Sequence, residues 1–581
     1  LEGIEMRDKS WVCDDEPSAR YPVYTRGNVG EVFIEAVSPL TWSTYGRRAW
    51  EPGWRDGFYE MGVFTPDEFK PEGQCEVTGC FGGYVYINMS VTRVMAVRIP
   101  GMSVEAIDKA LFGDYPDVPP YRADPRDPNP QRSQQVGAWL QSLFVTDPGI
   151  LTDQDGMRLD ALAAKRPTFA KCTDAQLLEH FRSLAPEGRH QFKRHVLNSY
   201  GANVLSSVIA QISAAVGGFD LAAKVTAAVG DIDSADQSME LWELSRQVNA
   251  SPWLRTEFDR GVAGLLERLR GSDEPAAKGF LAQWQAFIDR WGYFGPSVWE
   301  FRSPTYRTEP EIPLRMLDRA RRADDSASPR ARAAPLIAAR KSAVSEIAAR
   351  LAGNSAAQGQ FVGAAQAIGN YMAARERSKM HCTRVIEEAR AAMRELGHRL
   401  VKRGLLSRWE DVLLVTDEEA DAFVGKPEGF AELISDRAAK LKLLMSKEPP
   451  FVFEGNPPPL SAYQPRSSKP EVVAAGTQMT GIGVSPGRHT GRARVITSLA
   501  EDSQLDPGEI IVAVTTDASW GPLFLAAGGV VVETGATVSH AAIVARELGI
   551  PAAVSVAGAT RRISNGALIT VDGNTGTVDI H

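Results

Sequence analysis

GGVVVETGATVSHAAIVARELGIPAAVSV, Gly528–Val556, is the stretch whose reading decides this chain. VVV is a short apolar run bounded by glycine, the pattern of a buried strand. Gly535 permits a tight turn after it. Ser539 is a good N-cap, AAIVARELG reads as a helix, and Gly549 followed by Pro551 is a stop signal. His540, one of only eight histidines in 581 residues, therefore falls in the first turn of a helix that follows a strand.

That position has chemical consequences. The free backbone N–H groups of a helix start point outward, and the helix dipole favours negative charge there. A neutral imidazole is a competent nucleophile near physiological pH. A phosphoryl group on its nitrogen would be anionic and stabilised by this setting, with Thr537 and Ser539 adding hydrogen bonds. From helix position alone, an ordinary capping or buried polar histidine is the simpler reading.

Working outward, ALITVDGNTGTVDI near the C-terminus reads as a hairpin, and GRARVIT and EIIVAVT as strands. Before them, FEGNPPPLSAYQPRSSKPEVVAAGTQ is rich in Pro, Ser and Gly and lacks helical periodicity, so it reads as a partly stiff linker. Upstream, CFGGYVYINMSV is a strand candidate, whereas AQLLEHFRSLA, MELWELSRQV, VAGLLERLRG and FLAQWQAFIDRWG show apolar spacing of three or four. The expected fold is multidomain α+β. A first domain spans 1–452, mixed α/β up to about residue 120 and mostly helical beyond; a Pro-rich linker spans 453–478, and a small β/α domain spans 479–581.

Hydrophobic content of 44% and charged content of 23% are ordinary for a soluble globular protein. A net charge of −8 argues against a nucleic-acid partner held by a basic face. No run approaches the roughly 18 apolar residues of a membrane span, and LEGIEMRDKSW lacks the apolar core of a signal peptide. Cys13, Cys75, Cys80, Cys172 and Cys382 are scattered, so reduced thiols and a cytoplasmic location are expected, with no nucleic acid or membrane as partner. No residue is assigned to a metal.

The run Gly528–Val556, with TDASWGPLF at Thr516–Phe524 upstream, resembles the phosphohistidine swivelling domain of the phosphoenolpyruvate-utilising dikinase family. The resemblance puts the family's phosphorylated histidine on His540, with Gly535, Thr537, Ser539 and Arg546 in support. Ala536 stands where a second glycine is common. Weaker patches, among them EAVSPLTWSTY, WGYFGPSVWEFRSPTYRTEP and RERSKMHCTR, resemble the acceptor domain of rifampin phosphotransferase and of two-component phenylphosphate synthase. A Gly-His-Arg-Gly pattern of relatives reads here Gly292-Tyr293-Phe294-Gly295.

The resemblance implies a large acceptor (substrate-binding) domain before the swivel linker. Eleven of the twelve tryptophans precede that linker, and dense aromatic patches suit an aromatic acceptor or a domain core. Arg375 and Lys379 share a helix face at i,i+4 spacing, with Arg377, His381 and Arg384 on a neighbouring one; these charges suit a transferring phosphoryl group or a solvated helix. Glu300 and Arg302, beside Trp299, would share one face of a strand. His381, His195, His398 or Glu300 is the candidate base.

With no Walker-type loop in the chain, ATP and Mg²⁺ are expected on a separate ATP-binding subunit. The resemblance then implies an ATP-dependent phosphotransferase. His540 is charged, swings on the linker, and transfers its phosphoryl group to the hydroxyl of a small organic acceptor, a phenol or alkylphenol, with AMP and phosphate as co-products. The alternatives are a non-aromatic hydroxyl, as in a dehydratase component, and a phosphohistidine carrier or regulatory partner without acceptor chemistry.

Overall fold

Ser355–Lys402 forms one helix of 48 residues, about 72 Å long at 1.5 Å per residue. The Asn354 side chain accepts from the Ala357 amide at 3.1 Å, and Gly404 at φ +72° follows its end. In the computed structural model, which describes residues 11–581 except 113–114, 116, 230–232, 326–327, 467–471, 498, 500–504 and 538, this helix is the spine of the first domain. Helix Ala185–Ala215 packs along it. Gly201 makes the approach close, since a Cβ there would lie 2.5 Å from the Tyr371 ring.

The N-terminal part adds a four-stranded antiparallel sheet in the order Thr78–Phe81, Tyr84–Asn88, Val23–Thr25, Val452–Glu454. CFGGYVYINMSV is therefore not a single strand. Gly82 and Gly83, at φ +56° and +80°, turn it into a hairpin, and Asn88 then caps the helix Met89–Arg98.

The linker begins later than the sequence suggests. Val452–Glu454 pairs with Val23–Thr25, and Phe453 is buried, stacked 5.5 Å from Tyr24. Gln464–Pro465 pairs with Lys447–Glu448, and Tyr463 is buried against Gly82. Proline and serine in this stretch mark an edge strand and its turns. The connection to the second domain is thus confined to the residues between Pro465 and Gln478.

The second domain is an eight-stranded mixed sheet. Its centre is parallel: Arg488–Ile496, Ile510–Ala513, Gly529–Val532 and Ala552–Val554 lie side by side. Ile482–Ser485 closes one edge antiparallel. The hairpin Leu568–Asp572 and Thr577–Ile580, with Gln478–Thr480 beyond, extends the other. The chain is multidomain α+β, a large helical region followed by this sheet domain.

The segment around Trp299 is a series of turns, not the strand expected for Glu300 and Arg302. Its carbonyls turn inward and need donors. The wholly buried Arg390 supplies them, donating to Val298, Glu300 and Phe301 oxygens at 2.6, 3.0 and 3.0 Å and pairing with Glu387 at 2.9 Å. Replacing Arg390 with Met leaves these buried carbonyls without donors and leaves Glu387 only its longer pairing with Arg394 at 3.5 Å, so stability should fall by roughly 3–5 kcal/mol. A large drop in the thermal unfolding midpoint is expected.

Candidate active site

In a parallel sheet, loops leaving the carboxyl ends of neighbouring strands converge. Ile510–Ala513 and Gly529–Val532 are such neighbours, with Ala513 opposite Val532. The loop after the first carries Thr516, and the loop after the second opens helix His540–Leu548. The Ser539 Oγ accepts from the Ala542 amide at 3.4 Å, and Gly549 ends the helix at φ +64°. Gly535 does not take a positive φ; a Cβ there would sit 3.0 Å from Val554 Cβ and 3.2 Å from Ser539 Oγ. It is needed for close approach, not for a left-handed turn. Ala536 also lies outside the positive-φ region, so alanine is tolerated there.

His540 is fully buried. Its Nδ1 lies 3.2 Å from Thr516 Oγ1, and the edge of its ring meets Phe524 at 6.0 Å. Nε2 is buried with no hydrogen-bond partner. We assign the proton to Nδ1, donating to Thr516, which leaves the Nε2 lone pair free. Thr516 was not singled out from sequence, although it begins TDASWGPLF; its place directly after an apolar strand was the available signal. Thr537 is exposed. Arg546 lies buried at the far end of the helix, and its Nε donates to the Val484 carbonyl at 2.5 Å, tying helix to edge strand.

The first domain covers this helix start. Lys379 and Arg375, from the middle of the long helix, both act on His540, and burial together with these cations holds its basicity well below that of an ordinary imidazole. The ring is therefore neutral at physiological pH. Glu31, from the short helix Val29–Glu31, sits against the His540 backbone amide with Arg375 and Lys379 nearby, and burial pushes its carboxyl up to about 7. Its Oε1 is buried without a partner.

Glu31, Arg375 and Lys379 also line a cavity of about 590 Å³, joined by Ala536, Thr537 and Arg546 from the second domain. Trp42, Trp50, Trp54, Trp299, Phe33 and Phe192 form much of its apolar wall. Trp42 and Trp50 come from a π-helical segment, Thr41–Trp50. Opposite chemistry comes from helix Ala185–Ala215. Ser199, Asn203 and Ser206 share one face of it and line the cavity, each with a side-chain oxygen that is buried and unpartnered.

Of the residues expected at the acceptor side, the structure brings Trp299, Arg375 and Lys379 to this cavity. Glu300 lies elsewhere. Its carboxylate accepts from the Ser38 amide and hydroxyl at 3.1 and 2.7 Å and from Thr41 Oγ1 at 3.2 Å. Arg302 pairs with Glu35 at 2.8 Å. His381 turns the other way, over Gly156 of helix Pro148–Ala164, where a Cβ would lie 3.3 Å from its Nε2. It is two residues beyond Lys379, which on a helix rotates it about 200° away. His398 lies against Trp409 at 6.1 Å. His195 lines the cavity, its Nδ1 3.4 Å from Ser378 Oγ. Phe294, in the Gly-Tyr-Phe-Gly segment, is buried against Tyr306 at 6.2 Å.

The two domains are held together by polar and apolar contacts. Asp517 accepts from the Ser297 amide at 3.1 Å, and the Tyr306 hydroxyl donates to the Ser519 carbonyl at 3.0 Å. Trp520, Phe524, Ala541 and Leu548 share one apolar cluster with Trp284, Phe287 and Leu317. Ile543 packs with Phe361 and Ile368 of the long helix.

Among the described residues, no group of three or more His, Cys, Asp or Glu side chains is arranged for a metal. No helix among them is long and apolar enough to cross a membrane. The cysteines are free thiols.

Burial lowers the His381 imidazole to about 4, below the ordinary 6.5 of the unfolded chain. Between these values the unfolded state binds the extra proton, so this residue's contribution to stability is lost as pH falls. In His381→Phe that loss is absent, so from pH 7 to 4 the variant should gain on the parent by about 3 kcal/mol. Urea midpoints at the two pH values measure it.

Two family descriptions match the chain: the rifampicin phosphotransferase fourth domain over residues 194–376, and the mobile domain of PEP-utilising enzymes over residues 505–576. An uncharacterized protein of Mycobacterium tuberculosis is 29% identical over 589 residues, covering 97% of this chain and 62% of that protein. The prodigiosin synthesizing transferase PigC of Serratia marcescens is 31% identical over 61% of this chain and 40% of its own length. A rifampicin phosphotransferase of Bacillus subtilis is 34% identical over 32% of this chain and 21% of its own length. The chain thus spans about three fifths or less of the length of these relatives. Residues 194–376 thus resemble part of rifampicin phosphotransferase, and residues 505–576, around His540, resemble the mobile domain of PEP-utilising enzymes.

Proposed function

We propose that this chain is the acceptor and phosphohistidine part of an ATP-dependent phosphotransferase. His540 Nε2 takes a phosphoryl group derived from ATP on a separate ATP-binding subunit, where Mg²⁺ would also sit. The second domain then returns to the position seen here, on the remaining linker, and the group passes to a hydroxyl of an organic molecule in the cavity. The products are AMP, phosphate and an organic phosphate ester.

The observation that carries this reading is an uncharged, buried histidine, with a free Nε2, covered by residues that also line a ligand-sized cavity. Its volume of about 590 Å³ falls within the roughly 300–1,000 Å³ usual for small-molecule sites. The aromatic wall suits a ring-bearing, phenolic acceptor. A carrier without acceptor chemistry has no use for this cavity beside the helix start. Arg375 and Lys379 neutralise the equatorial oxygens in flight, and excluding water protects an energy-rich N–P bond. Thr516 holds the imidazole in the tautomer that leaves the Nε2 lone pair free.

Intact-mass measurement after ATP and Mg²⁺, with and without the ATP-binding subunit, is the direct test. Acid-labile phosphate on His540 is expected only with it, and none in His540→Gln. No phosphate with an active subunit present overturns the reading. Thr516→Val should slow charging about 10-fold, the value of one lost hydrogen bond. Lys379→Met should charge normally yet transfer to a phenol roughly 100- to 1,000-fold more slowly in a single turnover.

A further inference from the structure

An acceptor hydroxyl must lose its proton as it attacks, and neither Arg375 nor Lys379 can take one while charged. None of the bases suggested by sequence is well placed. Glu300 already accepts from Ser38 and Thr41. His381 faces helix Pro148–Ala164, and His398 lies against Trp409. His195 reaches the cavity, but burial and the charges of Arg375 and Lys379 depress its basicity strongly. A proton there would add a third buried positive charge.

We propose that Glu31 is the general base of the transfer step. Its carboxylate lines the cavity, lies against the His540 backbone, and has a buried Oε1 with no partner. The acceptor oxygen bonds to phosphorus as its proton moves to Glu31 Oε1. The N–P bond breaks and its electron pair returns to His540 Nε2. The neutral imidazole is restored, the ester leaves, and Glu31 releases its proton to solvent when the domains part. Protonating Glu31 removes a buried negative charge just as phosphate neutralises the cations beside it, so the step does not build up charge in the buried site. The proposal rests on the function proposed above and assigns the residue that completes it.

The charged groups facing Glu31 are Arg375, Glu376 and Lys379 on the long helix, with the neutral His540 on the other side. Glu376 is paired with Arg375. Burial leaves the Glu31 carboxyl at about 7, suited to exchanging protons near neutral pH. The base form grows as pH rises, so transfer should climb through about pH 7 and level off above it.

The test uses the full chain charged on His540, and two acceptor probes in single-turnover transfer: phenol, with a pKa near 10, and a nitrophenol already ionised at neutral pH. Glu31→Gln should charge normally. It should transfer to phenol about 100- to 10,000-fold more slowly, transfer to the nitrophenolate at close to the parental rate, and lose the pH limb near 7. Glu31→Asp should keep that limb at a reduced rate, which a merely structural role would not produce. Parental rates to phenol in Glu31→Gln, or equal losses with both probes, overturn the assignment while leaving the phosphotransferase standing. Failure of Glu31→Gln to charge assigns Glu31 to His540 instead and also overturns it. A parent chain that is never charged, or charges and transfers to neither probe, sinks the phenol-phosphorylating reading itself.

Discussion

Everything at this site depends on keeping one imidazole dry and uncharged. An ordinary histidine would be partly protonated near neutrality, and a protonated ring cannot attack phosphorus. Full burial and the proximity of Arg375 and Lys379 both act against the charged form of His540. The same cations are suited to the anionic phosphoryl group. In the proposed transfer, two opposite needs, a neutral nucleophile and a stabilised anion, would be served by one pair of residues at successive turns of the long helix.

That arrangement demands a rigid support. The 48-residue helix presents Arg375 and Lys379 from its middle, where both ends are tied by packing. Helix Ala185–Ala215 runs beside it, with Gly201 receiving Tyr371. Arg390 on the same helix grips the turns that carry Trp299 into the cavity wall. The cationic face and the Trp299 part of the aromatic wall are therefore set by a single element. The second domain reaches the turns around Trp299 through the hydrogen bonds of Asp517 with Ser297 and of Ser519 with Tyr306, and both residues lie in the same loop as Thr516. Docking and the orientation of the imidazole share that loop.

The second domain was largely legible from sequence. Its strands, its terminal hairpin and the capped helix beginning at His540 are each specified by local patterns: alternation, turn residues, an N-cap and a left-handed glycine. The first domain was legible as helical, but its details were not. CFGGYVYINMSV hid a hairpin because one Gly-Gly pair can turn a chain within a continuous apolar run. Phe453–Pro465 read as a linker because a short edge strand has no periodicity long enough to separate it from coil. Glu300 and Arg302 read as a strand pair because alternation also occurs in turns; their side chains do meet, at 3.8 Å, but with no strand to carry them.

Sequence by itself determined the local setting of His540. Strand, turn, cap and helix are local events, and together they place an imidazole at a helix N-terminus whatever the rest of the chain does. It also determined that Arg375 and Lys379 lie on one face, since helical spacing is local too. Tertiary structure alone decided what meets that histidine. Glu31 is 509 residues away along the chain from His540, and Thr516 faces it only because two parallel strands pair. His381, two positions from Lys379, was carried away from the site by a helix rotation whose direction matters only once the neighbours are in place. Partnership across a fold is set by packing and burial, and no local pattern encodes it.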